Sequence, residues 1–318
     1  MINLAYLENE TEREKTASKY PVIKKHKTLF SSKNFSGWLL LLPGLILFGF
    51  FVWGPMVMNV IYSFFDGYSL KNFIGFDNYM YIFNDSMFQA ALQNTFYYIF
   101  WSLLIGFFAP IIIGLLLSEV VLGKSFFRMI IYLPCIISGI AVAFLFKSLY
   151  DPEPYAIFNV ILKSLGLPTS LFADDPSLAI PLIVVAMTWR GAGGTVLIYL
   201  SAIQTIDPSQ YEAVRLDGGG LIRRIQYVTW PVLKPTISTL LIMQVISVFQ
   251  VFYEPMIIGN SNIHSISMML LSYNYAFSDG KPQLGAAVSV ILSLIIIVFT
   301  GIYFAVTAYF KRRHDYAA

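Results

Sequence analysis

The sequence predicts an all-α integral membrane protein with six transmembrane helices. Three observations carry this expectation. Hydrophobic residues make up 57% of the 318 and charged residues only 12%, about half the roughly 25% charged content of a soluble domain. Six stretches are long and apolar enough to cross a hydrocarbon core, which takes about 20 residues as a helix. Lysine and arginine crowd into alternate connections between those stretches, as they do when loops lie on alternate sides of a bilayer.

Taken in order, the apolar runs lie near Trp38 to Phe64, Thr95 to Leu117, Met129 to Leu149, Leu178 to Ala202, Ile237 to Ile258 and Leu284 to Phe310. The first run begins after a long polar lead and is too long for a signal-peptide core. Residues 1–36 are therefore expected to stay attached as a tail, followed by the first span with its outward loop at 37–94, five further spans over 95–310 and a short tail at 311–318.

Orientation follows from the basic residues. One set of connections holds Arg13 to Lys33, then Lys124 and Arg128, then Arg215, Arg223, Arg224 and Lys234, then Lys311 to Arg313; the alternate set holds only Lys71, Lys163 and Lys281. Both termini are expected in the cytoplasm, which six spans permit. The net charge of +3 is thus a topology signal and gives no reason to expect a nucleic-acid partner. The outward loops carry Asp66, Asp77, Asp151, Glu153, Asp174 and Asp175 among others, readable as a docking surface or as solvated loop. The outward stretch Phe73 to Phe83 mixes aromatic and polar residues, as interfacial segments do. The single cysteine, Cys135, sits in an apolar run, so no disulfide or metal spacing arises, and it reads as a small buried hydrophobe.

The largest internal basic connection is unusual in content. In DPSQYEAVRLDGGG, Asp207 is placed to cap a helix, Pro208 to fill its first position and Gln210 to reach back as in a capping box. Gly218 should end that helix, because glycine accepts the left-handed conformation common there. A second short helix through LIRRIQYV should set Leu221, Ile222, Ile225 and Val228 mostly opposite Arg223 and Arg224. Pro231 and Pro235 should then break or redirect the chain before the fifth run. The result is a compact helical elbow, about 207–235, projecting from the membrane.

The order Glu212, Ala213, Gly218 and Pro231, with the upstream TWRGAGGTVLIYLSAIQTIDPSQYEAV, the NTFYYIF opening of the second span and FFRMIIYLPCIISG, resembles the permease subunits of binding-protein-dependent ABC importers. The lead-in WLLLLPGLILFGFFVWGP is similar to the carbohydrate-uptake, maltose-permease-like branch. The chain departs from the pattern at Val214, Val228 and Trp230, all apolar exchanges. The resemblance implies the core of a type I importer permease in a bacterial inner or plasma membrane. It implies that Glu212, Ala213, Asp217, Gly218 and Pro231 belong to a coupling loop seated in a separate ATPase subunit. It further implies a second homologous permease, two ATPase subunits holding ATP and magnesium, and an extracytoplasmic protein that delivers a sugar or oligosaccharide.

No cofactor or catalytic group is expected in the chain itself. The stretch SEVVLGKS nearly spells a phosphate-binding loop, but it lacks the first glycine and follows an apolar span where a buried strand would be needed. His26, His264 and His314 lie far apart.

Candidate pathway residues cluster in two spans. In the fifth, Gln244, Ser247, Gln250 and Glu254 recur at helical spacing; at about 100° per residue they fall in a sector of roughly 120°. Ile242, Val245, Phe249 and Phe252 occupy the rest. Polar groups at membrane depth are costly unless they face protein or a wet cavity, so the stripe reads as pathway lining or as helix-packing contacts. In the fourth, Thr188, Trp189 and Arg190 precede Gly191 to Gly194, whose small size suits close helix approach or a local break. Trp189 would offer an aromatic face to a sugar and Gln244 and Gln250 its hydrogen bonds. Arg190 would pair with Glu254 or meet an acidic sugar. A self-contained carrier using Arg190 and Glu254 for ion coupling is the alternative, although no inverted repeat is evident.

Overall fold

The computed structural model describes residues 32–315 apart from Tyr68 and Val121. Of the expected tails at 1–36 and 311–318, residues 1–31 and 316–318 lie outside the described residues, and 32–36 and 311–315 continue the helices next to them. The chain divides into two units at Met56 and Val57.

In the first unit, helix α1 (Ser32–Phe48) passes through a π-helical turn at Gly49–Trp53 into α2 (Gly54–Tyr62), which runs across the division. Pro43 lies inside α1, and the rings of Phe48 and Trp53 meet edge-on with centroids 6.4 Å apart.

Among its described residues the second unit's regular elements are helices, with one isolated antiparallel bridge between Phe65 and Phe73. Its short helix α3 (Asp77–Phe83) leads into α4 (Ser86–Trp101), a π-helical stretch at Ser102–Phe107 and α5 (Phe108–Glu119). Next come α6 (Lys124–Ile136), α7 (Gly139–Leu149), α8 (Ile157–Ser164) and the unbroken α9 (Ala179–Ile203). The elbow consists of α10 (Pro208–Leu216) and α11 (Leu221–Arg224), and a π-helical turn at Ile225–Thr229 joins it to α12 (Trp230–Phe249). The chain then runs through α13 (Tyr253–Ile257) and α14 (Met268–Tyr273) to the long α15 (Pro282–Asp315).

Among the described residues, five helices are long and apolar enough to cross a membrane: Gly37–Tyr62, Ser86–Glu119, Ala179–Ile203, Leu221–Ile257 and Pro282–Phe310. The expected third span differs. It is a pair, α6 and α7, bent by 96°. Pro134 supplies no amide to the end of α6, and Ile137 and Ser138 are extended (ψ 139° and 135°), so the helix stops and restarts at Gly139.

Packing is closest between α6 and α9. A Cβ on Gly193 would lie 2.1 Å from the carbonyl oxygen of Ile131, so only glycine allows the backbones this approach. Gly193 thus serves packing, whereas a Cβ on Gly191 would meet nothing within 4 Å; the alternative expectation of a break there is corrected, because α9 runs unbroken from Ala179 to Ile203. Cys135, expected to be a buried apolar side chain, is half-buried and hydrogen-bonded instead. Its thiol donates to the carbonyl oxygen of Arg190 at 2.9 Å and its sulfur accepts the amide of Gly194 at 3.2 Å.

The core gathers Ile82, Phe88 and Tyr98 with Phe146, Ile183, Phe249 and the apolar face of α15. It also takes in a segment that reads as loop in the sequence. Ile266, Met268, Leu270 and Leu271, between the fifth and sixth spans, are buried. Such a segment survives in an apolar setting only if its backbone groups find partners. The Asn94 side-chain amide donates to the carbonyls of Ile263 (2.8 Å) and Ile266 (3.1 Å), Tyr98 donates to that of Ser265 at 2.7 Å, and Thr95 accepts the amide of Met268 at 3.1 Å. Asn159 does the same for the loop after α7, donating to the carbonyls of Pro152, Glu153 and Ser170.

Candidate functional site

The fifth span is interrupted where its polar stripe ends. α12 stops at Phe249, residues 250–252 are non-helical, and helix resumes at Tyr253. The expectation of one continuous helix through Glu254 is therefore corrected, and with it the angular sector. The break is tolerated because freed backbone groups are met: the Ser267 hydroxyl donates to the carbonyl oxygen of Val251 at 2.6 Å.

The break faces a cavity of about 300 Å³ between the second, fourth and fifth spans. Five of the sequence-predicted residues line it together: Arg190, Gln244, Ser247, Gln250 and Glu254. Trp189 does not. Its ring, 43% exposed, turns away and meets Phe146 edge-on at 5.5 Å. Helical geometry explains this, since Thr188, Arg190 and Ala192 face the cavity from α9 and Trp189 projects from the other side. The aromatic lining comes from Phe252 and Tyr253 instead. Assigning Phe252 to the apolar face of the span is corrected by the same break.

The second span contributes residues that sequence reasoning missed. Ser102 and Gly106 lie in its π-helical stretch and line the cavity. The Gln244 amide donates to the Ser102 hydroxyl at 2.6 Å, and a Cβ on Gly106 would come within 3.1 Å of Gln244 Nε2, Ser102 Oγ and Thr188 Oγ1. An isolated serine and glycine in the apolar run FWSLLIGFF were the available signal. π-Helical turns inside spans often mark such sites. A second hollow of about 330 Å³ shares Gly106, Gly191, Thr195, Gln244 and Ser247, and extends the lined surface towards Tyr199 and Met243.

Arg190 and Glu254 face this one cavity without a direct ion pair; the pair found among the described residues is Arg224 with Glu119. Glu254 is 7% exposed and interacts electrostatically with Arg190. The guanidinium lies against Gly139 at the bend of α6 and α7, where a Cβ would be 3.1 Å from its Cζ, and its Nε is buried without a hydrogen-bond partner.

The elbow forms a separate feature. Asp207 caps α10 by accepting the amide of Ser209 at 2.9 Å, and Pro208 takes the first helical position. That amide, and then the Ser209 hydroxyl, hold the Asp207 carboxyl below its usual range. Gly218 is left-handed (φ +74°) and ends the helix, with open space beyond its Cα. The close approach belongs to Gly219, whose Cβ would stand 2.5 Å from Val214 Cγ1. Glu212, Ala213 and Asp217 are exposed, and so are Leu216 (88%) and Ile222 (79%).

Pro231 and Pro235 neither break nor redirect the chain. The π-helical turn immediately upstream absorbs the bond that Pro231 cannot donate, and the helix runs on to Phe249. Two contacts fasten the elbow. Arg224 Nη2 lies 2.9 Å from Glu119 Oε2 at the end of α5, and the Tyr211 hydroxyl lies 3.0 Å from that of Thr229. The near-match SEVVLGKS joins two helices, with Gly123 left-handed and Lys124 donating to the Ser118 carbonyl at 3.2 Å.

Residues 28–315 match the family model described as binding-protein-dependent transport system inner membrane component. The chain is 31% identical over 281 residues to the probable ABC transporter permease protein YurN of Bacillus subtilis (86% of this chain, 95% of that one). It is also 31% identical over 279 residues to the lactose transport system permease protein LacF of Rhizobium radiobacter (85% and 93%). A chain of the crystal structure of a bacterial alginate ABC transporter, in complex with an alginate pentasaccharide-bound periplasmic protein, superposes with a TM-score of 0.77 at 26% identity (85% and 93%).

Proposed function

The chain belongs to the binding-protein-dependent transport system inner membrane components, and from that membership we propose that it is the permease subunit of an ATP-driven importer of a sugar or oligosaccharide. The observation that carries the reading is the cavity between the second, fourth and fifth spans, where hydroxyl, amide and charged groups meet beside Phe252 and Tyr253. Sugars are polar at their edges and apolar on their faces, and a site of that composition suits both.

The chain acts within an assembly. A second, homologous permease completes the pathway, two ATPase subunits bind ATP and magnesium beneath, and an extracytoplasmic binding protein delivers the solute above. Residues 95–310 form the transport core, and the segments 1–36 and 311–318 lie in the cytoplasm with the elbow. No step of ATP hydrolysis falls to this chain. Glu212, Ala213, Asp217 and Gly218 mark the surface of the elbow that meets the ATPase, and the exposed Leu216 and Ile222 supply the apolar area such a contact buries. Pro231 stands at the base of the helix that continues from it. ATP-driven closure of the ATPases would move the elbow, and α12 carries that motion to Gln244 and Ser247.

The test is mass spectrometry of whatever co-purifies with the tagged protein from its native membrane in mild detergent. A stoichiometric second permease, ATPase and binding protein is the expected set. Recovery of the protein alone, still able to move solute after reconstitution, would make it an ion-coupled carrier built on Arg190 and Glu254. In the intact importer, Gln244→Ala and Gln250→Ala should alter apparent affinity or sugar preference without changing assembly. Unaltered uptake in both would assign the stripe to packing.

A further inference from the structure

We infer that the cavity selects a neutral, hydroxylated solute and excludes a uronate, and that Arg190 and Glu254 together make this choice; the inference rests on the cavity being the solute pathway. The question is open among the similar proteins, since one is a lactose permease and another belongs to a transporter of alginate, an acidic polysaccharide.

Among the described residues that line the cavity, Arg190 and Glu254 are the charged ones, so its formal charges cancel. A uronate entering it would meet the carboxylate of Glu254 as well as the guanidinium of Arg190, and like charges brought together away from water are strongly unfavourable. A site built for an acid would hold the cation without the anion.

The two groups are also available to a ligand. No direct ion pair joins them among the described residues, and both line the cavity. A guanidinium offers only donors and a carboxylate only acceptors. Sugar hydroxyls, which both donate and accept, can therefore bridge them and satisfy both without adding charge. Gln244 and Gln250 offer amides that both donate and accept, and Ser247 a hydroxyl. The position of Arg190 is fixed by its fit against Gly139 and by the Cys135 thiol on its own carbonyl. The volume of about 300 Å³ is at the small end of ligand sites, which run from about 300 to 1,000 Å³.

The experiment uses the complete permease and ATPase complex in lipid nanodiscs without its binding protein, so that this cavity and not the delivery protein does the selecting. Binding of tritiated lactose and arabinotriose is compared with that of digalacturonate and dimannuronate at millimolar concentration. The wild type is expected to bind a neutral probe and exclude both acidic ones. Glu254→Gln should raise acidic relative to neutral binding by about tenfold or more. Arg190→Gln should weaken neutral binding and still exclude the acids. Wild-type binding of an acidic probe as tight as the neutral ones, or an unchanged ratio in a normally assembled Glu254→Gln complex, overturns the inference while leaving sugar import intact. Binding of no probe in either class removes the sugar-pathway reading and the inference with it.

Discussion

The thiol of Cys135 donates a hydrogen bond to the backbone carbonyl of Arg190 at 2.9 Å, joining the bent third span to the arginine that faces the cavity. The same sulfur accepts the amide of Gly194, so it stands between the carbonyl and amide that are neighbours along one turn of α9. Cys135→Ser keeps a donor and an acceptor and should retain uptake. Cys135→Ala leaves both groups without that partner and should reduce uptake several-fold at unchanged membrane abundance. Equal uptake by the two variants would show that the thiol only fills space.

Gly193 makes a sharper test of packing. Its missing Cβ would sit 2.1 Å from the Ile131 carbonyl oxygen, so Gly193→Ala must push α6 away from α9. Overpacking of this kind costs about 1–3 kcal/mol. A lower melting temperature of the detergent-solubilised complex is expected, whereas Gly301→Ala, with open space around it, should leave the temperature unchanged.

At the elbow, Gly218 and Gly219 should fail for different reasons. Gly218 needs its left-handed backbone, so Gly218→Asn should be tolerated and Gly218→Val should not, at a cost of roughly 1–2 kcal/mol. Gly218→Trp adds bulk on the exposed surface to that backbone cost and should abolish ATP-driven uptake where Gly218→Asn retains it, while the protein still inserts. Gly219→Ala meets Val214 and should loosen the helix end. Normal uptake by an assembled Gly218→Trp complex would remove the elbow from the coupling surface.

The ion pair of Glu119 and Arg224 ties the elbow to the end of the second span. Its side chains are partly exposed (37% and 14%), so its share of stability should be small, about 0.2–1 kcal/mol. Its effect is expected instead in coupling. Glu119→Arg and Arg224→Glu should each lower solute moved per ATP hydrolysed, and the double reversal should restore part of it.

The cap at Asp207 gives a pH dependence with a definite sign. The folded-state carboxyl is lowered by the Ser209 amide and hydroxyl, so the cap is fully present above the ordinary carboxylate range and is lost as pH falls through the lowered value. Asp207→Asn should keep the cap and lose that dependence, because asparagine caps without ionising. Amide exchange of 209–211, corrected for intrinsic rates, reads it out; equal acid sensitivity in the variant would contradict it.

The spans were legible in the residues themselves because hydropathy measures transfer into lipid, a property of each side chain and its neighbours along the chain. The elbow was legible for a similar reason: Asp207, Pro208 and Gly218 act on the backbone within one helix turn. Packing partners were not. The break at 250–252 and the buried segment Ser265 to Ser267, just before α14, both place backbone out of helix in apolar surroundings, and the third span bends at Ile137. The first two are stable only because Asn94, Tyr98 and Ser267, distant in sequence, satisfy their carbonyls. The site divides the same way. Polar residues at helical spacing marked the fifth span, but which of them meet Arg190, why Phe252 joins them and why Trp189 turns away depend on how three spans pack around one cavity.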